Sequence, residues 1–450
     1  MDSKLLVIGY YSYAHDEAIS KTRIGDFVSG LKKLDIAFEF EGSFSDKDSE
    51  GHKKLINSIK KKLSDIYCFL VILPGWAEAT PIVNILFEFK SVPVAVMSLA
   101  GYYTEKGLIA PAGPAGASSL KNSINALGFK YFIEYQKINE NINFNRILYF
   151  LNASKAVKEL KSIKIASFGY ACSNLYPFMY DGNLIKKYTG IHVDNLDLLE
   201  LELAASKIKE SQMKSYIADF KKNTLFDSSV SAIELERQAR YSIALQNILD
   251  TNRYSAITMK CNGGFGRLFN FTPCMLLSYI EEKVQAICEC DVYNLALQTI
   301  INELGNFPVT FLEFFEFYKN SILMASCGFA PSNICRGGKI KVFSHEWGGS
   351  GGLMNVSELA NGEVTVASMS AYEGKLYIHS AKAMAKTPEL FQEEGWDSRS
   401  GPKIPALEIE LSESLNDFIG KITGPHYLII IGDALDLIRQ FAYLNDINFL

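Results

Sequence analysis

Alternation of strand-like and helix-like segments near the N-terminus is the feature that most constrains the fold of this chain. Residues 5–12 (LLVIGYYS) form an apolar run typical of a buried strand, and Ile24, Phe27 and Leu31 then recur at the spacing of one helix face. Similar pairs of segments follow. Strands joined through helices pair in parallel, with helices on both faces of the sheet. We therefore expect an N-terminal α/β domain over residues 1–162.

Two further domains are predicted after the first. A second strand–helix series starts at IKIASFGYAC (163–172) and indicates another Rossmann-like α/β domain with a parallel sheet over residues 163–304. The last third has short segments that alternate apolar and polar residues between turns, which favours antiparallel pairing. We expect a mostly antiparallel, barrel-like β domain over residues 305–450. Its predicted strands include KIKVFSHEW (339–347), EVTVASMS (363–370), KLYIHSAK (375–382) and ALEIEL (406–411).

The charge distribution argues against a nucleic-acid partner. The chain has 45 Lys and Arg against 50 Asp and Glu, a formal net charge of −5, with no long block of one sign. The richest basic run, KKLINSIKKKLSD (53–65), carries Leu55 and Ile59 at helical spacing, so its lysines are expected on the solvated face of a helix.

The N-terminus and the cysteines predict a cytoplasmic location. MDSKLLVIGYYS has an acidic second residue and only a short apolar run, which favours a first strand over a secretory signal. No apolar stretch of the sequence approaches the roughly 18 residues that a membrane span needs. The eight cysteines lie mostly inside apolar segments, as reduced core cysteines do. We expect no membrane partner.

Three polar residues in apolar surroundings form the candidate site. Glu289 ends a predicted strand in AICECDVYNLALQ (286–298), Glu313 lies in an aromatic segment, and His426 precedes the last apolar strand. Burying an ionised carboxylate costs several kcal/mol unless a cation or hydrogen-bond donors compensate it. Two carboxylates and an imidazole around one divalent cation would account for all three residues. Such an oxygen-rich site suits Mn²⁺ or Mg²⁺ better than Zn²⁺.

Each of the three residues also has a simpler interpretation, which spacing alone does not exclude. A carboxylate in a Phe-rich segment is commonly hydrogen-bonded to backbone or paired with Lys or Arg. A single His beside a strand is commonly an ordinary core or surface residue.

Fragments between residues 286 and 450 resemble the L-fucose isomerase and L-arabinose isomerase superfamily. They are CECDVYNLAL (288–297), FLEF (311–314), ASCGFAP (325–331), EVTVASM (363–369) and GPHYLIIIGDALDLIRQFA (424–442). The resemblance is diffuse over residues 1–250. It implies that Glu289, Glu313 and His426 bind Mn²⁺, with Mg²⁺ or Co²⁺ as alternatives, and that both glutamates also act as acid and base. It also implies a homo-oligomer, a trimer or hexamer, in which a neighbour's first domain completes the pocket.

The sequence departs from the superfamily pattern at two positions. Ser326 stands where some members have a His, and Gly264 falls where others carry a Glu in the loop after a Lys-Cys pair. The arabinose-type motif has two adjacent His where this chain has His426 and Tyr427. His426 is taken as the candidate ligand, because Tyr is a poor ligand for this class of metal.

Three residues are candidate sugar contacts. Ser326 and Asn262 lie in the two motifs that depart from the pattern. Trp76 follows a strand end in the first domain, where an aromatic face could stack on a sugar ring; ordinary packing is the alternative.

The resemblance therefore implies a metal-dependent aldose–ketose isomerase that moves a proton through a cis-enediol of an open-chain sugar. Two other classes stay open. One is a catalytically inactive sugar-binding or regulatory homologue, which Gly264 and Ser326 favour. The other is a metal-dependent lyase or epimerase of a sugar acid or phosphosugar, because an enediolate is common to these reactions. The sequence does not identify the sugar.

Overall fold

The computed structural model describes residues 3–171, 175–261, 265–280, 284–337, 340–347, 350–388 and 404–450. Its contacts divide the chain into two compact units, Met1–Glu159 and Leu160–Leu450.

The first unit is a doubly wound α/β domain. Its elements are β1 (Lys4–Tyr11), α1 (Glu17–Leu31), β2 (Phe38–Ser45), α2 (Ser49–Lys62), β3 (Ile66–Leu73), α3 (Ala79–Phe87), β4 (Val94–Ser98), β5 (Tyr102–Thr104), β6 (Gly107–Ile109), α4 (Gly113–Ala126), β7 (Tyr131–Tyr135) and α5 (Phe144–Glu159). The parallel sheet has the order β2-β1-β3-β4-β7. Strand β3 is buried along its whole length, as expected of a central strand covered on both faces. The short strands β5 and β6 form a separate hairpin.

The second unit begins with another parallel sheet. Its elements in this part are β8 (Lys164–Phe168), α6 (Gly182–Thr189), β9 (His192–Leu196), α7 (Leu198–Ala205), α8 (Glu210–Asn223), β10 (Thr224–Phe226), α9 (Ala232–Asn252), β11 (Ala256–Met259), α10 (Gly266–Phe269), α11 (Cys274–Ile280), β12 (Gln285–Cys288) and α12 (Val292–Gly305). Four of the strands pair in the order β12-β11-β8-β9, all in parallel. Strand β12 therefore lies at an edge of this sheet.

A closed antiparallel barrel follows. The remaining elements are β13 (Val309–Phe317), β14 (Ile322–Ala325), β15 (Ile340–Trp347), β16 (Ser350–Asn355), β17 (Gly362–Tyr372), β18 (Lys375–Lys386), β19 (Ala406–Leu411), α13 (Leu415–Ile419), β20 (His426–Ile431), α14 (Leu435–Leu444) and β21 (Asn448–Phe449). Strands pair in the order β17-β20-β13-β14-β19-β18, and β17 also pairs with β18, which closes the ring. Apolar residues such as Leu312, Val366, Ile409 and Ile429 fill its core.

Helix α12 joins the parallel sheet to the barrel. Residues 292–301 of this helix are buried without interruption, because it packs against β11 and β12 of the sheet and against β17 and β20 of the barrel. A helix that is buried on all sides belongs between two layers. The first turn of α12 therefore lies where the carboxyl edge of the sheet meets the barrel.

One predicted strand lies outside the barrel. KIKVFSHEW becomes β15, which pairs antiparallel with β16 and in parallel with β10. A strand from the range predicted as the second domain thus shares a sheet with one from the range predicted as the third. Alternation of apolar and polar residues identifies a strand, but it does not identify the partner that the strand pairs with.

The predicted fold class is confirmed. The structure has two parallel α/β sheets followed by a closed antiparallel barrel-like sheet. Among the helices of the described ranges, none is long and apolar enough to cross a membrane.

Candidate functional site

The chain has a strained backbone directly after strand β12. Glu289 and Cys290 have φ angles of 65° and 55°, in the left-handed region that residues with a side chain seldom adopt. Each such residue costs about 1–3 kcal/mol, and such residues persist where the surrounding structure enforces them, often at functional sites. The buried Cys290 thiol donates a hydrogen bond to the Phe168 carbonyl of β8 (3.3 Å). This contact fixes the turn and leaves Glu289 at the carboxyl edge of the sheet.

Asp291 is the N-cap of helix α12 and is almost completely buried. Its Oδ1 accepts the N-cap hydrogen bond from the Asn294 backbone N–H (3.1 Å). Its Oδ2 accepts from Asn294 Nδ2 (2.8 Å) and lies 3.0 Å from His426 Nδ1. Asn294 Oδ1 accepts in turn from the Met369 backbone N–H of β17 (3.0 Å). Sheet, helix and barrel thus hold this carboxylate in place, and the carboxylate orients the imidazole.

His426 is the first residue of β20 and is 1% exposed. Its ring stacks on Phe178, with centroids 4.6 Å apart and planes 8° apart, and Phe311 packs on it as well. The Nε2 atom lies 3.4 Å from Glu289 Oε2. Burial alone lowers the pKa of this imidazole, but the hydrogen bonds and charges of Asp291 and Glu289 outweigh it and raise the pKa to about 10.

Glu313 approaches the same imidazole from the barrel. It lies directly opposite His426 in the antiparallel pairing of β13 with β20. Side chains that are directly opposed point to the same face of a sheet, with Cβ atoms about 5 Å apart. Burial raises the pKa of Glu313, the charge of His426 opposes this shift, and the charge of Glu289 adds to it. The two carboxylates and the imidazole are therefore close enough to interact electrostatically.

Tyr427 points to the other side of its strand. Its hydroxyl hydrogen-bonds His379 Nδ1 (2.6 Å) in the barrel core. Because side chains alternate along a strand, only His426 of the two residues faces Glu289 and Asp291. This placement agrees with the choice of His426 over Tyr427 as the candidate ligand.

Two donor atoms converge at this site. Ligands at adjacent corners of an octahedron with bonds of about 2.1 Å lie about 3 Å apart, which is close to the 3.4 Å between Glu289 Oε2 and His426 Nε2. In the described part of the chain, no three His, Cys, Asp or Glu side chains form a group ready to hold a metal ion. Asp291 is not a third donor, because it contacts the other ring nitrogen; carboxylates in that position typically orient a ligating imidazole. The third predicted ligand, Glu313, lies opposite His426 on the neighbouring strand.

The remaining predicted residues lie in other surroundings. The Ser326 hydroxyl donates to the Phe329 carbonyl, a hydrogen bond that closes the loop after β14. Trp76 lies in the first unit, after β3, with 38% of its surface exposed. Asn262 and Gly264 fall outside the described residues.

Three residues of the site were not predicted. Asp291 could have been found, because an Asp at the first position before an apolar helix is a cap, and the E-x-D spacing puts it beside Glu289. Asn294 is one turn further along the same helix. Phe178 carries no local signal, since it lies far from both β12 and β20 in the sequence.

Comparisons with known proteins add little. No protein-family model and no curated protein matches the chain. Among solved structures, the chain is similar to a periplasmic solute-binding protein of an ABC transporter from Actinobacillus succinogenes 130z, with bound D-allose. That match has 11% sequence identity and a TM-score of 0.16, and covers 67% of this chain and 92% of the other. A similarity at this level carries no argument about function.

Proposed function

We propose that the protein is a metal-dependent aldose–ketose isomerase. The observation that supports this function is the placement of Glu289 against the Nε2 of a histidine whose other nitrogen is held by Asp291. Glu313 lies across the strand from the same histidine. The site combines two carboxylates, which can move protons, with a buried imidazole oriented as a ligand.

The residues that would hold the ion are Glu289, His426 and Glu313, and their oxygen-rich composition favours Mn²⁺, with Mg²⁺ or Co²⁺ as alternatives. A divalent ion of this class polarises the sugar carbonyl and stabilises negative charge on its oxygens. Asp291 keeps Nε2 of His426 directed at Glu289. Phe178 and Phe311 cover the ring and exclude water from it.

The two carboxylates would divide the proton transfers of an aldose–ketose conversion. Glu289 takes the proton from C2 of the open-chain aldose and returns it to C1, while Glu313 carries the hydroxyl proton from O2 to O1. The C2–H bond and the C1 carbonyl π bond break, and a C1–H bond and a C2 carbonyl form through an enediol. Atoms and electrons balance without an oxidant.

An assay of the full chain with Mn²⁺ and a panel of aldopentoses and aldohexoses tests this proposal. We expect ketose formation from at least one sugar, with deuterium at C1 of the product when the reaction runs in D₂O. Glu289→Gln should abolish turnover at saturating Mn²⁺. Glu316→Gln, which changes an exposed carboxylate of the same strand as Glu313, should leave it unchanged.

Other outcomes would contradict the proposal. Sugar binding without turnover would indicate an inactive homologue, and cleaved or epimerised products would indicate a lyase or an epimerase. A ketose free of deuterium would exclude transfer through bases that exchange with water. Full activity of Glu289→Gln would exclude the assigned site.

A further inference from the structure

A cavity lies in the first unit. It has a volume of about 220 Å³ and is lined by the segments that follow β1 and β3 and by the β5–β6 hairpin. Strands β1 and β3 are neighbours in the sheet, and the chain leaves β1 for β2 on one side and returns to β3 on the other. The crevice beyond the carboxyl ends of two such strands is where open α/β sheets bind ligands. The topology therefore places this cavity at a favoured ligand position.

The guanidinium of Arg23, which pairs with no carboxylate in the described part of the chain, lines the cavity. Arg23 donates hydrogen bonds to the carbonyls of Pro74 and Ala100, and its charge lies 4.9 Å from the ring centre of Tyr102. Burial lowers the pKa of Arg23, and the opposing contribution comes from Tyr102, not from any Asp or Glu among the described residues. Half-burying a cation without a counterion is unfavourable. An anionic ligand would supply the missing charge.

The imidazole of His15 also lines the cavity. Nε2 of His15 is buried and makes no hydrogen bond within the described ranges. It lies against Gly75, where an added Cβ would be 3.2 Å from Nε2 and 2.8 Å from Pro111 Cβ, so this position requires glycine. Asp16, the cap of helix α1, also lines the cavity and offers carboxylate oxygens to hydroxyl donors.

We propose that this cavity binds a small polyol that carries a phosphate or carboxylate group. The guanidinium of Arg23 would hold the oxyanion, since its planar fork matches either group. The His15 imidazole would form the second polar contact, and Asp16 would accept from a hydroxyl. The cavity is smaller than a typical drug-sized pocket, which suits a ligand of metabolite size. This inference does not depend on the isomerase proposal.

Calorimetric titration of the full chain at physiological salt tests the site. Four probes separate the possible sources of the anion: inorganic phosphate, ribose 5-phosphate, ribonate and neutral ribose. A chelator is present throughout, so that a metal centre elsewhere does not contribute. We expect saturable 1:1 binding of ribose 5-phosphate or ribonate, with ribose at least tenfold weaker. Binding of inorganic phosphate alone, or of ribose as tightly as its anionic forms, would overturn the proposal.

Variants assign the site. Arg23→Gln should weaken binding at least tenfold, Arg23→Lys less, and His15→Leu several-fold. Arg146→Gln is the matched control, because Arg146 also lies over an aromatic ring in the first unit but is exposed and pairs with Glu134; it should bind as wild type does. Wild-type affinity in both Arg23→Lys and His15→Leu would overturn the proposal even if Arg23→Gln fails to fold.

Discussion

At the residue scale, the carboxylates of Glu289 and Glu313 face the buried imidazole of His426. Each carboxylate attracts the protonated imidazole, and the two carboxylates repel each other. The partners on both ring nitrogens favour the protonated imidazole, which is why the pKa of His426 is raised to about 10. A divalent cation would replace that proton and reduce the repulsion between Glu289 and Glu313. The site is therefore best tested by metal affinity rather than by stability.

Removing either candidate carboxylate should weaken metal binding. We expect Glu289→Gln and Glu313→Gln each to lower Mn²⁺ affinity at least tenfold, because each replaces an anionic oxygen donor with a neutral amide. Electron paramagnetic resonance of free Mn²⁺ measures the loss. Glu316→Gln, on the same strand as Glu313 but exposed, serves as the control. Equal Mn²⁺ affinity in wild type and both site variants would exclude this metal centre.

The orienting carboxylate gives a second prediction. Asp291→Asn keeps a good helix cap but loses the charge beside His426 Nδ1, so we expect Mn²⁺ affinity to fall about 10–100-fold with little change in thermal stability. Asp197→Asn is the matched control, since Asp197 caps α7 after β9, at the opposite edge of the sheet from β12. An equal effect of the two substitutions on Mn²⁺ affinity would contradict the orienting role.

Sequence reasoning singled out the three candidate ligands more readily than the residues that support them. Glu289, Glu313 and His426 stand out because each is polar in an apolar segment. Phe178 and Asn294 do not stand out, because their contacts with His426 and Met369 form between segments that are far apart in the sequence. Ser326 was singled out by its motif, yet its hydroxyl is used by its own loop.

At the element scale, the pattern of apolar residues predicted which sheets are parallel and which are antiparallel. It did not predict which strands pair with each other. Alternating strands such as EVTVASMS and KLYIHSAK did form the hairpin β17–β18. Strand β15 has the same alternation but joins β10 and β16 instead. Short edge strands such as β10 present unpaired backbone groups, and the choice among possible partners is made by tertiary contacts.

The turn of the β17–β18 hairpin offers a stabilising substitution. Its two central residues, Glu373 and Gly374, have φ angles of 52° and 72°, as a type I′ turn requires. Asn adopts this conformation more readily than Glu, and Asn-Gly is the favoured pair. We expect Glu373→Asn to raise the free energy of unfolding by about 0.5–1 kcal/mol, measured by urea denaturation. Glu363→Asn, within β17, should not stabilise; a gain there of the same size would point to a charge effect instead.

At the scale of the whole molecule, the first prediction concerns the oligomeric state. The β5–β6 hairpin of the first unit exposes Tyr103, Leu108 and Ile109, and grouped apolar side chains of this kind mark interaction surfaces. We expect a trimer or hexamer by light scattering at micromolar concentration, in line with the resemblance. Leu108→Lys, in a cross-strand pair with Tyr103, should shift the mass towards the monomer. A monomeric wild type would contradict this prediction.

Stability against acid is the second property, and it depends on the barrel core. His379 of β18 is fully buried, with Nδ1 hydrogen-bonded to Tyr427 and Nε2 without a partner among the described residues. Protonation would bury a second N–H with no acceptor. Burial, aided by the charge of Lys421, lowers the pKa of His379 to about 4, against about 6.5 in an unfolded chain.

The sign of the pH dependence follows from this shift. Between pH 6.5 and 4 the unfolded chain binds a proton at His379 and the folded chain does not, so acid favours unfolding; above pH 6.5 the residue is neutral in both states. We expect wild type to lose up to about 3 kcal/mol relative to His379→Gln as the pH falls from 7 to 4, since one pKa unit corresponds to about 1.4 kcal/mol. Glutamine cannot be protonated and can still hydrogen-bond Tyr427, so the difference between the two proteins isolates the imidazole from every other titrating group. Urea denaturation at half-unit pH steps measures it, and parallel pH profiles of the two proteins would mean that His379 does not limit acid stability.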